Sequence, residues 1–193
     1  TIMYVTNRLG INSDQEGQLI QYSLSTPFDI STATKTSHTD LLGGSGVAVL
    51  KYPHAIEFKP DGTKIFVASG DQFARIYQYN LTTAWDSSTV QFETSFHVNR
   101  SNENKLRALA FKPDGTRMYT GGKSNPSTKS KIKQFTLTNP WDLTSGVSSA
   151  VLSDDLGSSE PNLRNAQFDN TGKILYVGGN DNDDIHKYTL STC

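Results

Sequence analysis

The stretch KPDGTKIFV occupies positions 59–67 and recurs as KPDGTRMYT at positions 112–120. A weaker copy, DNTGKILYV, lies at positions 169–177, and the chain opens inside a further copy, TIMYV at positions 1–5. Pro-Asp-Gly is typical of a tight turn, because proline fixes φ and glycine tolerates positive φ. The β-branched and aromatic residues after it favour a strand. A turn-strand unit that recurs at a fixed period indicates a repeat architecture.

Two further landmarks follow the copies in a constant order. The first is an aromatic tetrapeptide: QYSL at 21–24, QYNL at 78–81, QFTL at 134–137 and KYTL at 187–190. The second is a turn signal: TPFD at 26–29, TAWD at 83–86 and NPWD at 139–142. The aromatics that precede the Pro-Asp-Gly motif, Phe58, Phe111 and Phe168, are 53 and 57 residues apart. Landmarks in one order at one period argue against a chance resemblance between segments.

Each unit is predicted to contain four short antiparallel strands, named a to d. Strand a enters the Pro-Asp-Gly turn, strand b leaves it, strand c carries the aromatic tetrapeptide, and strand d, expected at 90–96 and 148–152, follows the Trp-Asp turn. No stretch shows a helical period of apolar residues. Four-stranded units at this period match the blades of a β-propeller, which stack around a channel lined by strand a.

The predicted fold is all-β: a β-propeller of four-stranded antiparallel blades, of which about 3.5 are visible. We treat residues 1–193 as one repeat array, and its predicted blade portions are 1–53, 54–104, 105–161 and 162–193. Its fourteen predicted strands run b-c-d, a-b-c-d, a-b-c-d and a-b-c. Because the chain begins and ends inside the repeat, we expect it to be an excerpt of a longer protein. The alternative is an oligomeric ring whose missing strands come from further copies.

Composition excludes several functional classes. The chain has 18 Lys and Arg against 19 Asp and Glu, a formal net charge of −1. This balance argues against a general role in nucleic-acid binding. No apolar run approaches the length of a transmembrane helix, so no membrane insertion is expected. The single cysteine, Cys193, leaves no internal disulfide framework.

Tyr4-Val5-Thr6-Asn7 is the tetrapeptide that names the YVTN β-propeller repeats of archaeal and bacterial surface proteins. The chain resembles those repeats in its Pro-Asp-Gly turn as well, although its period is longer than theirs. The longer repeat sequence, from FKPDGTK to the Trp-Asp turn, is similar to propeller repeats of bacteriophage tail or virion proteins and of secreted bacterial proteins. The resemblance implies a surface-exposed binding or structural module at an extracellular, cell-surface or virion location, with a glycan or protein as its ligand. It implies no assigned reaction and no cofactor.

Candidate binding residues come from a recurrence in strand a. His54, Arg107 and Arg164 each lie four residues before the aromatic that precedes the turn. If strand a lines the channel, the three side chains stand near one rim in successive blades, where guanidinium groups could bind carboxylate or phosphate. The alternative is structural, with each side chain bonded to the neighbouring blade. The loops between strands b and c differ in length and charge, so any ligand is expected on the face that carries them.

Two charged segments admit a functional and a structural interpretation. The acidic loop with Asp181, Asp183 and Asp184 could hold Ca²⁺, but the same residue types favour hairpin loops, and no metal site is assigned. The second segment is basic: a polyanion could bind it, or its lysines could form a solvated face or protect a sheet edge. It comprises Lys123, Lys129, Lys131 and Lys133.

Catalytic arrangements are poor, so the chain is predicted not to be an enzyme. Its four histidines show no metal-ligand spacing. Trp85 and Trp141 could stack on sugars, but their recurrence beside Asp in one turn favours packing within the blade. The leading prediction is a non-catalytic propeller module for attachment or assembly. The alternative is a secreted, lactonase-like propeller hydrolase, which would need carboxylate and amide groups converging from several blades.

Overall fold

The computed structural model of the protein describes residues 1–7, 17–42, 50, 52–70, 74–98, 103–124, 131–152, 162–180 and 184–190. These residues form short β-strands and two 3₁₀ turns, Ile30–Thr32 and Ser87–Thr89. The strands are β1 (Ile2–Asn7), β2 (Gln18–Leu24), β3 (Ala33–Asp40), β4 (Pro53–Phe58), β5 (Lys64–Ser69), β6 (Arg75–Leu81), β7 (Val90–His97), β8 (Glu103–Phe111), β9 (Arg117–Ser124), β10 (Lys133–Asn139), β11 (Asp142–Val147), β12 (Val151–Leu152), β13 (Leu163–Phe168), β14 (Ile174–Gly179) and β15 (Ile185–Thr189).

The strands form four antiparallel sheets in the predicted sequence. Their orders are β1-β2-β3, β4-β5-β6-β7, β8-β9-β10-β11 and β13-β14-β15, which correspond to b-c-d, a-b-c-d, a-b-c-d and a-b-c. The inner strands β4, β8 and β13 contact one another in succession. A common inner layer of a strands is the arrangement expected around a propeller channel. The predicted all-β fold of antiparallel propeller blades is therefore confirmed.

One strand prediction was wrong. Strand d of the third blade does not run from 148 to 152; it begins at Asp142 as β11, ends at Val147 and resumes as β12, so both segments pair with β10. The described residues therefore contain fifteen strands rather than fourteen. Gly146, with a φ of +116°, lies within β11, where the register against β10 shifts between Leu137 and Asn139. Ser148 then satisfies the backbone of Thr136 through both its amide and its hydroxyl group.

Aromatic pairs hold neighbouring blades together at one repeated level. Each pair joins strand b of one blade to the aromatic at the end of strand a of the next. The ring centroids are 4.4 Å apart for Tyr4–Phe58, 4.5 Å for Phe66–Phe111 and 5.0 Å for Tyr119–Phe168. Three apolar clusters surround these pairs. A single thin blade cannot bury its own faces, so its stability depends on these contacts.

The glutamine of the aromatic tetrapeptide also connects blades. Gln21 Oε1 accepts a hydrogen bond of 2.7 Å from the Ser87 amide, and Gln78 Oε1 accepts one of 2.7 Å from the Leu143 amide. Both amides directly follow the Asp of the next blade's Trp-Asp turn. Gln78 is completely buried, so its hydrogen bonds are expensive to lose. The repeated glutamine is thus an inter-blade connector.

The Pro-Asp-Gly turn and the Trp-Asp turn of a blade dock on each other. Trp85 N donates to Gly62 O, and Trp141 N donates to Gly115 O, both at 3.0 Å. Gly115 has a φ of +71°, and a Cβ there would lie 2.0 Å from Trp141 Cδ1. Glycine is therefore required both by the backbone conformation and by the indole ring. The two kinds of turn therefore lie on one face, and the packing role predicted for both tryptophans is confirmed.

Candidate functional site

The channel has two chemically different ends. At one end lie the loops that join strands b and c; we call this the loop end. At the other end lie the Pro-Asp-Gly and Trp-Asp turns; we call this the turn end. Each a strand runs from the loop end to the turn end, because it enters the Pro-Asp-Gly turn at its last residue.

At the loop end, every inner strand carries a β-bulge at the same register. The residues added by the bulges are the three predicted ligand-binding residues His54, Arg107 and Arg164. The register shifts lie between Pro53 and Ala55, between Leu106 and Ala108, and between Leu163 and Asn165. A bulge re-aims the side chain of the extra residue and is common beside functional sites. The structure therefore places the three residues in equivalent positions of consecutive blades.

The two arginines have different partners. Arg107 Nη1 donates to Asn162 Oδ1 at 3.1 Å, and Asn162 belongs to the next blade. Arg164 Nε donates to Asn180 Oδ1 at 3.2 Å, within its own blade. The contact of Arg107 agrees with the structural interpretation, in which the residue locks two blades together. Arg164 is exposed and Arg107 is partly exposed, so both retain surface that a ligand can reach.

His54 lies against the next inner strand. It is exposed, and its ring covers Gly70, where a Cβ would lie 2.2 Å from His54 Cδ2 and 2.9 Å from the carbonyl oxygen of Leu106. Leu106 directly precedes Arg107 in the chain. The structure therefore brings the imidazole beside the strand segment that carries Arg107.

Two lysines make this end more basic than the sequence predicted. Lys105 pairs with Lys123 directly across β8 and β9, and both side chains are exposed. Like charges directly opposite in a sheet are destabilising. Sequence reasoning named Lys123 as part of a basic run but missed Lys105, because the cross-strand register is visible only in the structure.

The rest of the predicted basic run does not form one solvated face. Lys129 lies outside the described residues, and Lys131 precedes the strand. Lys133, the first residue of β10, is only 2% exposed. The expectation of a solvated lysine face is therefore wrong for Lys133, because the Lys133 side chain is buried within the fold.

The acidic loop does not provide a metal centre among the described residues. Asp184 is exposed, whereas Asp181 and Asp183 lie outside the described part of the chain. Over the described ranges, no group of three or more His, Cys, Asp or Glu side chains is arranged to hold a metal ion. The same ranges contain no helix with the length and apolar character needed to cross a membrane.

The turn end contains a cavity that the sequence analysis missed. It has a volume of about 260 Å³ and lies among the last residues of three successive a strands and the turns that follow them. Equivalent positions of the three strands contribute Glu57, Ala110 and Gln167. The remaining lining residues are Phe58, Pro60, Phe111, Pro113, Trp141, Phe168, Asp169 and Asn170. The sequence signal was the carboxylate of Glu57 directly before Phe58 at the end of an inner strand.

Glu57 is electrostatically unusual. Burial raises the pKa of its carboxyl group to about 7, since desolvation disfavours the charged form. In the described part of the chain, this carboxyl has neither a hydrogen bond nor an ion pair to another residue. Asp169, also on the cavity wall, differs because it accepts hydrogen bonds from Thr171 and from backbone amides of its own turn, which lower its pKa.

Comparisons with known proteins identify the fold. No protein-family model matches this chain, and no curated protein matches its sequence. Among solved structures, it is similar to a protein of Bacteroides fragilis provisionally named as a 6-phosphogluconolactonase, with a TM-score of 0.62, 13% identity, and coverage of 98% of this chain and 51% of the other.

Two further solved structures give the same result. A second protein provisionally named as a 6-phosphogluconolactonase, from Bacteroides uniformis, has a TM-score of 0.59 at 12% identity over 98% of this chain and 51% of its own. The β-propeller domain of Cps50 (Swd1) from Myceliophteria thermophila has a TM-score of 0.55 at 10% identity, with coverage of 92% and 49%. The chain thus spans about half the length of these structures. At this identity, the likeness shows the fold alone, which is that of a β-propeller.

Proposed function

We propose that this propeller is a non-catalytic binding module that recognises an anionic group of a glycan or protein at its loop end. The observation that carries the proposal is the bulge repeated at one register of three inner strands, which presents His54, Arg107 and Arg164 in succession. A planar guanidinium group recognises carboxylate, sulfate and phosphate through paired hydrogen bonds.

The lysine pair beside the bulges supports the same chemistry. Facing Lys105 and Lys123 lower the stability of the free protein. An anion bound near both ammonium groups would replace this repulsion by attraction. The two lysines therefore add two positive charges beside the arginines, on facing positions of adjacent strands.

The proposed location is a virion or a cell surface, where the module would serve in attachment or assembly. This location is supported by the resemblance of the repeat sequences to those of virion and surface propellers. An acidic glycan or an acidic protein segment exposed on a cell would be a suitable partner for a basic channel rim.

The test is a double substitution with a matched control. Arg107→Ala with Arg164→Ala removes two cations from the loop end, whereas Lys35→Ala with Lys173→Ala removes two exposed cations elsewhere. Binding to neutral, sialylated and sulfated glycans immobilised on one surface would be compared after circular dichroism has shown that each variant is folded. We expect the arginine variant to lose acidic-glycan binding about tenfold or more and the lysine variant to retain it. Equal binding by both variants would refute the proposal.

Lactone hydrolysis is the second candidate function. The structural neighbours provisionally named as 6-phosphogluconolactonases favour it, and they support it better than the comparisons support attachment, since no neighbour's name concerns a virion or a surface. The substrate in that name carries a phosphate group, which the basic loop end is suited to hold. His54, as an imidazole beside the same rim, would then serve as the general base.

Hydrolysis can be measured directly. The release of acid from 6-phosphogluconolactone would be followed above the spontaneous rate, with wild-type protein and with His54→Asn. If His54 is the base, the variant loses turnover and keeps affinity for the substrate. A wild-type rate equal to the uncatalysed rate would eliminate this candidate and leave the binding module.

A further inference from the structure

We propose a second binding site in the cavity at the turn end, where an organic ammonium group binds between the carboxylate of Glu57 and the surrounding aromatic rings. This site is independent of the proposed function, because it lies at the other end of the inner strands and has the opposite charge preference. Its ligand would be a small quaternary or primary amine, or a lysine side chain that presents the same group.

The chemistry of the wall selects a cation. Two carboxylates, Glu57 and Asp169, line the cavity, and its lining residues include no Lys, Arg or His. The rings of Phe58, Phe111 and Trp141 are also on the wall. An ammonium group is attracted to aromatic rings by the ring quadrupole and to a carboxylate by its charge, and both attractions strengthen where water is partly excluded. A neutral sugar would be a poorer match, because it brings no positive charge to pair with the carboxylate of Glu57.

The repeat creates this space by varying one position. Glu57, Ala110 and Gln167 are equivalent, but only the first is charged, and the small Ala110 in the middle blade leaves room between the other two. The fourth blade closes the wall: a Cβ on Gly172 would lie 2.8 Å from Pro113 Cδ. The cavity is therefore built from the turns of adjacent blades in close contact.

No cation among the described residues is paired with Glu57. The lysines on the adjoining turns are paired elsewhere: Lys59 with Asp61 at 2.7 Å and Lys112 with Asp114 at 2.6 Å. On the third turn, Asp169 accepts backbone hydrogen bonds and adds further negative charge. A bound ammonium group would therefore be the first positive partner of Glu57 among these neighbours.

Proton linkage gives the site a signature. Burial raises the pKa of Glu57 to about 7 in the empty site, so below neutral pH a ligand must displace a proton from the carboxyl group. Affinity for a permanently charged cation should then rise as the pH increases from 6 to 8 and level off above that. The carboxyl of Asp169 has a lowered pKa and stays ionised across this range.

The test uses tetramethylammonium chloride as the probe, with sodium chloride holding the ionic strength constant. Binding to the full protein is measured by isothermal calorimetry and by the fluorescence of Trp141 on the cavity wall. Glu57→Gln should weaken binding about tenfold and abolish its pH dependence. The control Asp184→Asn removes an exposed carboxylate at the loop end and should leave both unchanged.

A second variant tests the site by gain of affinity. Gln167→Glu adds a carboxylate at an equivalent position of the cavity and should tighten tetramethylammonium binding several-fold. The proposal is overturned if Glu57→Gln binds as tightly as Asp184→Asn, if Gln167→Glu brings no gain, or if methyl glucoside binds the cavity while tetramethylammonium does not.

Discussion

One position of the repeat provides a graded test of how the blades are stabilised. The aromatic of the Trp-Asp turn is Phe28 in the first blade, Trp85 in the second and Trp141 in the third. All three have positive φ, at 63°, 65° and 59°, so the backbone cost is shared. Their exposures differ widely, at 92%, 37% and 7%. We therefore expect truncation to alanine to have a different cost at each site.

The magnitudes follow from the buried fractions. Truncation of a fully buried Trp costs about 4 kcal/mol. Scaled by burial, Trp141→Ala should destabilise by about 4 kcal/mol, Trp85→Ala by about 2.5 kcal/mol and Phe28→Ala by less than about 0.5 kcal/mol. The cost should be largest for Trp141→Ala, because the Trp141 ring also stacks on Phe111 with a centroid distance of 4.7 Å. The corresponding distance between Trp85 and Phe58 is 5.4 Å.

The assay is urea unfolding followed by far-ultraviolet circular dichroism, which does not depend on the tryptophans that are removed. The comparison is valid where the dependence of unfolding free energy on urea is the same for each variant. A loss for Phe28→Ala as large as that for Trp141→Ala would refute the reasoning, because burial could then not be the cause.

Three further predictions concern other recurrent positions. The folded-state pKa of Glu57 is raised to about 7 from 4.5, so the unfolding free energy should fall as the pH rises through this interval. The expected loss is about 2 kcal/mol after allowance for solvent screening. Glu57→Gln should remove this pH dependence of stability in denaturation curves recorded at pH 5 and pH 8. Gly115→Ala should destabilise by about 2–4 kcal/mol, whereas Gly178→Ala, with nothing within 4 Å of its Cβ position, should change thermal stability little. Gln78→Leu should cost about 2–4 kcal/mol, because it leaves the Leu143 amide without its partner and removes one hydrogen bond from Glu93. The more exposed Gln134 is the control, and an equal loss for Gln134→Leu in urea unfolding would contradict the inter-blade role.

The fold was predictable because each landmark acts locally. Pro60, Asp61 and Gly62 specify their turn within a few residues, and the alternation of strand c specifies its two faces. The same locality explains the one wrong strand. Strand d of the third blade starts at Asp142 rather than Ser148, and its register against β10 shifts between Leu137 and Asn139. The regular repeat gave no sign of this irregularity.

The candidate sites were only partly predictable because they depend on register between strands. The recurrence of His54, Arg107 and Arg164 was visible as spacing, but the bulge that presents them requires the pairing of strand a with strand b. Lys105 and Lys123 are far apart in sequence and become neighbours only in the sheet. Glu57 is remote from Gln167 and Asp169 in the chain, and the cavity that joins them arises from the stacking of blades.

Variation within the repeat therefore separates structure from function in this molecule. A residue that packs between blades recurs because its partner recurs, as Gln21 and Gln78 do with the amides of Ser87 and Leu143. Among the described residues Glu57 has no such partner, and its equivalents in the next blades are uncharged. A partly buried carboxyl group without a hydrogen-bonding partner lowers stability at neutral pH. The cation proposed at the turn end would give this carboxylate the partner that it lacks among the described residues.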